Sequence, residues 1–254
     1  MASEIDPWER VFAHRYSDAL TQYDERRRNG FEQDALEIGN RSTALLCLGR
    51  LDEALAGFQQ ANELARQRLR GETQPYLAKI GAMFWLLGKR NEGIQAFKAA
   101  VDGILDGSIK FADNAGGVSE GLLLWYAAVT DANNEAKEHS LNYLRKLAKK
   151  PRIKNWPGDL ALVALKGKSI DELLHNRFGT GDILKAAETA KSDLLKRREL
   201  VKCLFYSAVR KRDENDEIGC RNIMAACTSL ENPIIEIEWF LARAEAAADT
   251  GGKS

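Results

Sequence analysis

Two copies of one pattern constrain this chain more than any other feature. GRLDEALAGFQQA begins at Gly49, and GKRNEGIQAFKAA begins at Gly88, 39 residues later. In each, a glycine is followed five positions on by a small residue (Ala54, Gly93), then Leu55 or Ile94, Phe58 or Phe97, and Ala61 or Ala100. A shorter copy, RYSDALTQY, aligns Ala19 with Ala54 and Tyr23 with Phe58 at an offset of 35. The spacing has a mechanical meaning. The glycine ends one helix in a left-handed cap, and an Asp or Asn starts the next. The small residue lets two backbones approach, and the aromatic four positions later fills the space beneath.

Ahead of each glycine lies another helical stretch, Leu36 to Leu48 and Leu77 to Leu87. Each unit is therefore predicted to be a pair of antiparallel helices. One pair cannot bury its apolar face alone, so copies must stack to make a core. The five prolines all fall where a helix begins or a turn occurs, and alternating β-branched runs are missing.

The pair built on Gly81, Gly88, Gly93 and Phe97, with its partner built on Gly49, Ala54, Phe58 and Ala61, resembles the tetratricopeptide repeat (TPR) of bacterial proteins. The resemblance is closest over residues 35–105 and looser over 115–230. In the later part, Gly121 to Thr130 and Ser140 to Ala148 resemble the two helices of a repeat. Trp156 to Leu174 is similar to a short hairpin, and Glu199 to Cys227 resembles a final full repeat. The period of 39 and the long loop around Asp106 to Gly117 depart from the family pattern. The resemblance implies an all-α fold, a right-handed superhelical solenoid of antiparallel helix pairs, about six in all. It would form one domain over residues 1–248, closed by an amphipathic capping helix at 234–248. In that cap Ile235, Trp239 and Leu241 face inward and the acidic residues face solvent. A disordered tail is expected at 249–254.

Composition narrows the function. With 37 basic and 37 acidic side chains the formal charge is zero, which disfavours an electrostatically driven nucleic-acid binder. Met1 to Arg10 carries four charges and no apolar core, so no export signal is read there. No stretch approaches the roughly 18 apolar residues of a membrane span. A cytoplasmic location, with no membrane association, is the expectation. The four cysteines, Cys47, Cys203, Cys220 and Cys227, form no CxxC pair and read as core packing.

Reactive chemistry finds little to build on. None of His14, His139 and His175 has a His or Cys at i+3 or i+4, so no metal site is predicted. The helical context offers no strand-to-helix turn on which a nucleophile elbow could be built. GTGD at Gly179 to Asp182 lacks the Lys-Ser or Lys-Thr of a phosphate loop and reads as a turn before a helix. Neither a cofactor nor an enzymatic activity is predicted, with an enzyme hidden in a helical scaffold as the rival. Basic residues cluster from Arg145 to Lys154. They serve either as solvated helix ends or as an edge for an anionic partner.

In a TPR stack the first helix of each pair lines the concave groove. Matching the repeats places Leu36, Asn40, Thr43 and Cys47 there in one unit, and Lys79, Ala82, Trp85 and Leu86 in the next. Asn40 and Lys79 fall where peptide-clamping TPRs place Asn and basic residues, although the full clamp is incomplete. The predicted partner-binding residues are Asn40, Thr43, Lys79, Ala82, Trp85, Tyr126, Lys149 and Lys150, with Trp85, Trp125 and Tyr126 open to a core role instead. The function implied is non-enzymatic binding of a protein partner. It would be either immunity against a toxin or effector, or an adaptor's place in a regulatory complex.

Overall fold

The computed structural model describes residues 6–68, 76–110 and 113–251. Among them the chain is helical, with no strand. The first eight helices are α1 (Pro7–Phe12), α2 (Tyr16–Arg28), α3 (Ala35–Cys47), α4 (Leu51–Arg68), α5 (Tyr76–Leu86), α6 (Arg90–Asp106), α7 (Val118–Thr130) and α8 (Asn134–Ala148). A short 3-10 turn, Pro151–Lys154, leads to α9 (Gly158–Ala164), α10 (Ile170–Phe178) and α11 (Ile183–Ala190). The last three are α12 (Leu194–Asp213), α13 (Glu217–Ser229) and α14 (Ile237–Gly251). Consecutive helices pack as pairs, α3 with α4, α5 with α6, α7 with α8 and α12 with α13. The helix reaches Gly251, further than the expected cap, and residues 252–254 of the expected tail lie outside the described residues.

The helix ends explain why the chain turns where it does. At Gly49 and Gly88, both with φ +75°, the left-handed residue donates to the carbonyl three back. The next residue donates five back, Arg50 to Leu45 and Lys89 to Phe84. This doublet satisfies carbonyls that a helix end would otherwise leave open. The same doublet closes α7 at Ala132 (φ +51°), α9 at Lys166 (φ +64°) and α12 at Asn215 (φ +62°). The divergent half therefore keeps the turn geometry and loses only the glycine. Helix starts are equally local: Asp34, Asn133 and Asp216 accept from the backbone N–H three residues on, at 2.7, 3.0 and 2.8 Å.

Close approach within pairs matches the repeat pattern. A Cβ added to Gly81 would stand 2.8 Å from the Phe97 ring and 3.2 Å from the Gly93 carbonyl oxygen, so α5 and α6 meet backbone to backbone there. In α7 and α8 the contact is fixed by a hydrogen bond, Ser140 Oγ donating to the Gly121 carbonyl at 2.7 Å. Ala54, Phe58, Phe97 and Ala100 are all fully buried. Cys203, Cys220 and Cys227 are buried in the core as free thiols.

The carboxy-terminal segment departs from the sequence reading. The expected solvent-facing cap instead packs α14 against α13, α12 and α5. Trp239 and Leu241 are buried as expected, but Ile235 is only half-buried and Ile237 takes the inward place, while Glu236 and Glu238, expected in solvent, are 5% and 2% exposed. Their charges are met inside, so burial does not force them out. The strap before α14 also joins the two ends of the chain. Ile234 is fully buried with Val11, Ala19, Tyr23 and Ala44, and the Asn232 amide donates to the Tyr16 hydroxyl at 3.4 Å. Ile234 has φ +77°, an unfavourable conformation for a β-branched residue that costs about 1–2 kcal/mol. Burial of its side chain, worth about 1.5–3 kcal/mol, offsets that cost.

Candidate functional site

Because α14 and its strap cover part of the inner helices, several predicted groove residues become core. Thr43 is 3% exposed and its hydroxyl donates to the Gly39 carbonyl; Ala82 is fully buried. The Trp85 and Tyr126 rings meet at 5.3 Å, tilted by 57°, and Tyr126 continues to Phe205 at 4.9 Å. The Tyr126 hydroxyl donates to Glu245 on α14 at 2.8 Å, and Arg212 of α12 reaches the other oxygen of that carboxylate at 3.0 Å. Thr43, Ala82, Trp85 and Tyr126 thus hold helices together and present no free surface. Of the predicted residues, Asn40 is half-buried on α3, and Lys149 and Lys150 are exposed after α8. Lys79 alone lines a charged cavity.

That cavity has a volume of about 490 Å³ and lies between α5, α7, α12, the start of α14, and the loops at Asp113–Asn114 and Trp156–Pro157. Its walls are charged. Lys79 comes from α5, Glu120 from α7, Arg198 and Lys202 from α12, and Glu236 and Glu238 from the strap and α14. Arg198 Nε meets Glu236 at 2.5 Å, and Lys202 Nζ meets the other Glu236 oxygen at 2.8 Å and Glu238 at 3.8 Å. The Tyr206 hydroxyl donates to Glu238 at 2.9 Å. Burial opposes the charge on Lys202, but Glu236 and Glu238 outweigh it and hold the ammonium charged. Burial likewise opposes ionisation of Glu236, yet Lys202 and Arg198 bring its pKa below the ordinary value. Glu238 goes the other way, raised by burial and by Glu236 against the pull of Lys202.

Two groups in the cavity are left over. Lys79 Nζ sits 5.3 Å from the centre of the Phe58 ring and 5.9 Å from that of Tyr76, a cation–π setting. Among the described residues it forms no ion pair. Burial lowers its pKa to about 8, and Glu236 only partly offsets this. Glu120 is 3% exposed, and its Oε2 has no hydrogen-bond partner. Burial, then the nearby Asp113, raise its pKa to about 7, with Glu238 adding and Lys202 opposing.

The loop carrying Asp113 is built by its own backbone. Asp113 Oδ1 accepts from the N–H of Ala115 at 3.0 Å and of Gly117 at 2.8 Å, and Oδ2 from Ser119 at 2.9 Å. Gly116 and Gly117, at φ +96° and +90°, supply the left-handed backbone this wrap needs. The Asn155 amide donates to the Asn114 carbonyl at 3.2 Å. That bond ties the basic stretch ending at Lys154 to the loop lining the cavity.

Glu120, Glu236 and Glu238 were not singled out by the sequence as site residues, nor was Lys202, which reads there only as part of a basic patch with Lys196 to Arg198. Their signal was present as lone charges inside apolar runs, GLLLWY after Glu120, CLFYSAV after Lys202 and IIEIEWF at 234–240. A charge so placed is buried and paired more often than the helical period alone suggests. Among the described residues no group of three or more His, Cys, Asp or Glu side chains is arranged to hold a metal ion. No described helix is long and apolar enough to cross a membrane. No protein-family model matches the sequence, and no curated protein matches it either.

Proposed function

We propose that this chain is a non-enzymatic binding protein that takes a segment of a partner protein into the charged cavity between α5, α7, α12 and α14. The reading treats the helix pairs as TPR-like repeats stacked in a right-handed superhelix, with the inner face narrowed to this cavity by the chain's own last helix. One observation carries it: the half-buried Lys79, whose ammonium lines the cavity, forms no ion pair among the described residues, and leaving a charge unpaired away from water is costly. An acidic group of the partner supplies the missing charge. The exposed basic edge at Lys149 and Lys150, on the stretch that Asn155 joins to Asn114 of the cavity loop, steers such a partner toward it. A toxin held by an immunity protein and a subunit held by an adaptor both suit this mode of binding.

Affinity capture from native cells with three forms of the protein tests it: wild type, Lys79→Met, and Ser119→Trp, which fills the cavity. A partner retained by wild type and lost from both variants supports the reading. A partner retained equally by all three places binding elsewhere on the surface and ends it.

A further inference from the structure

We infer that the Glu120 end of the same cavity is the seat for one cationic side chain, lysine or arginine, of the bound partner segment. The inference rests on the protein-binding reading and names a second chemical feature of the ligand. Glu120 is 3% exposed and lines the cavity, and its Oε2 meets no donor. Every cation near it is already committed. Lys202 is shared between Glu236 and Glu238, and Arg198 is held by Glu236. Asp113, Glu120, Glu236 and Glu238 face those two cations, so this end of the cavity is short of positive charge. Lys79 does not remedy this, because it forms no ion pair with any of them.

The donor set selects the kind of cation. Both Asp113 oxygens are occupied by backbone N–H groups, and Glu238 accepts from Tyr206. Glu120 is left as a lone acceptor, which suits an N–H donor group. A metal ion would demand several free oxygens at once. A lysine or arginine reaches such a buried acceptor because its apolar stem is accommodated along the wall while its head makes the charge-assisted bond. Leu123 and Ile237 line the cavity and provide that wall.

The inference also sets a pH dependence. Glu120 faces Asp113 from the loop, Tyr143 from α8, Lys202 and Tyr206 from α12, and Glu238 from α14. With the Glu120 carboxyl raised to about 7, the cation preference rises about tenfold between pH 6 and pH 8 as its proton leaves.

The test uses fluorescently labelled hexapeptide pools, acetylated and amidated at their ends, each with one position fixed as Lys, Arg, norleucine, citrulline or Glu. Binding is read by anisotropy on the full chain. The expected result is that wild type binds the Lys and Arg pools about tenfold tighter than the norleucine and citrulline pools. Glu120→Gln should erase that preference, while Glu120→Asp, which keeps the charge, retains part of it. Lys79→Met should weaken all pools and leave the preference intact. If wild type shows no Lys or Arg preference, or Glu120→Gln keeps it, the cation seat is refuted. In that case, pools still weakened by Lys79→Met leave the protein-binding reading standing. If no pool binds wild type more tightly than it binds Ser119→Trp, both fall together.

Discussion

Glu120→Gln has a consequence for the protein without its partner that follows from burial alone. The carboxyl moves from an ordinary value of 4.5 to about 7 on folding. A folded pKa raised in this way leaves its stabilising contribution intact below the unfolded value. That contribution is lost as pH rises through the folded one. Between pH 5 and pH 8 the linkage amounts to about 2.5 kcal/mol, which side-chain relaxation and water entry reduce to about 2 kcal/mol. Glutamine does not titrate, so the variant escapes this loss. The amide brings its own packing cost, but that cost is the same at both pH values. Glu238 and Lys79 also titrate with shifted pKa values, but both proteins carry them, and they largely cancel in the difference. Urea unfolding followed by far-ultraviolet circular dichroism, for both proteins at both pH values, measures it. The gap between variant and wild type should move in the variant's favour by about 2 kcal/mol from pH 5 to pH 8. A gap constant to within about 0.5 kcal/mol would show that Glu120 ionises freely, and the argument from an unpaired buried carboxylate would fail.

Trp85→Ala should cost about 3–5 kcal/mol of folding stability, because the ring is 4% exposed and packed against Tyr126; a melt within error of wild type would return Trp85 to the surface. Gly81→Ala should destabilise by about 1–3 kcal/mol, since the added carbon meets the Phe97 ring at 2.8 Å with the Gly93 carbonyl close behind; an unchanged melting temperature would contradict the close approach of α5 and α6. Ala132→Gly should stabilise by about 1 kcal/mol, the cost of holding an exposed alanine at φ +51°, and a loss of stability would mean that the turn after α7 is not left-handed.

What the sequence determined is what neighbouring residues decide between themselves. Gly49 and Gly88 mark hairpin turns because only a residue easy in the left-handed region ends a helix that way at no cost. Asp34 and Asn133 start helices through bonds spanning three residues. The spacing of Gly81, Gly93 and Phe97 encodes a contact between helices joined by one short turn. At Ala132, Lys166 and Asn215 the same turn forms without its glycine, since the doublet of hydrogen bonds is fixed by the helix on either side. There the residue type carries little signal.

The candidate site lay beyond this reach. Which face of α5 and α7 stays open depends on where α14 docks, and that is set by contacts between residues far apart in the chain: Tyr126 with Glu245, Arg198 with Glu236, and Ile234 with Val11. Helical periodicity places a glutamate in solvent by default. Only the tertiary structure brings Arg198, Lys202 and Tyr206 against Glu236 and Glu238, which lets those charges stay inside. Among the described residues the same packing leaves Lys79 without an ion pair and Glu120 Oε2 without a donor, because a charge can be paired only by a group the fold delivers to it.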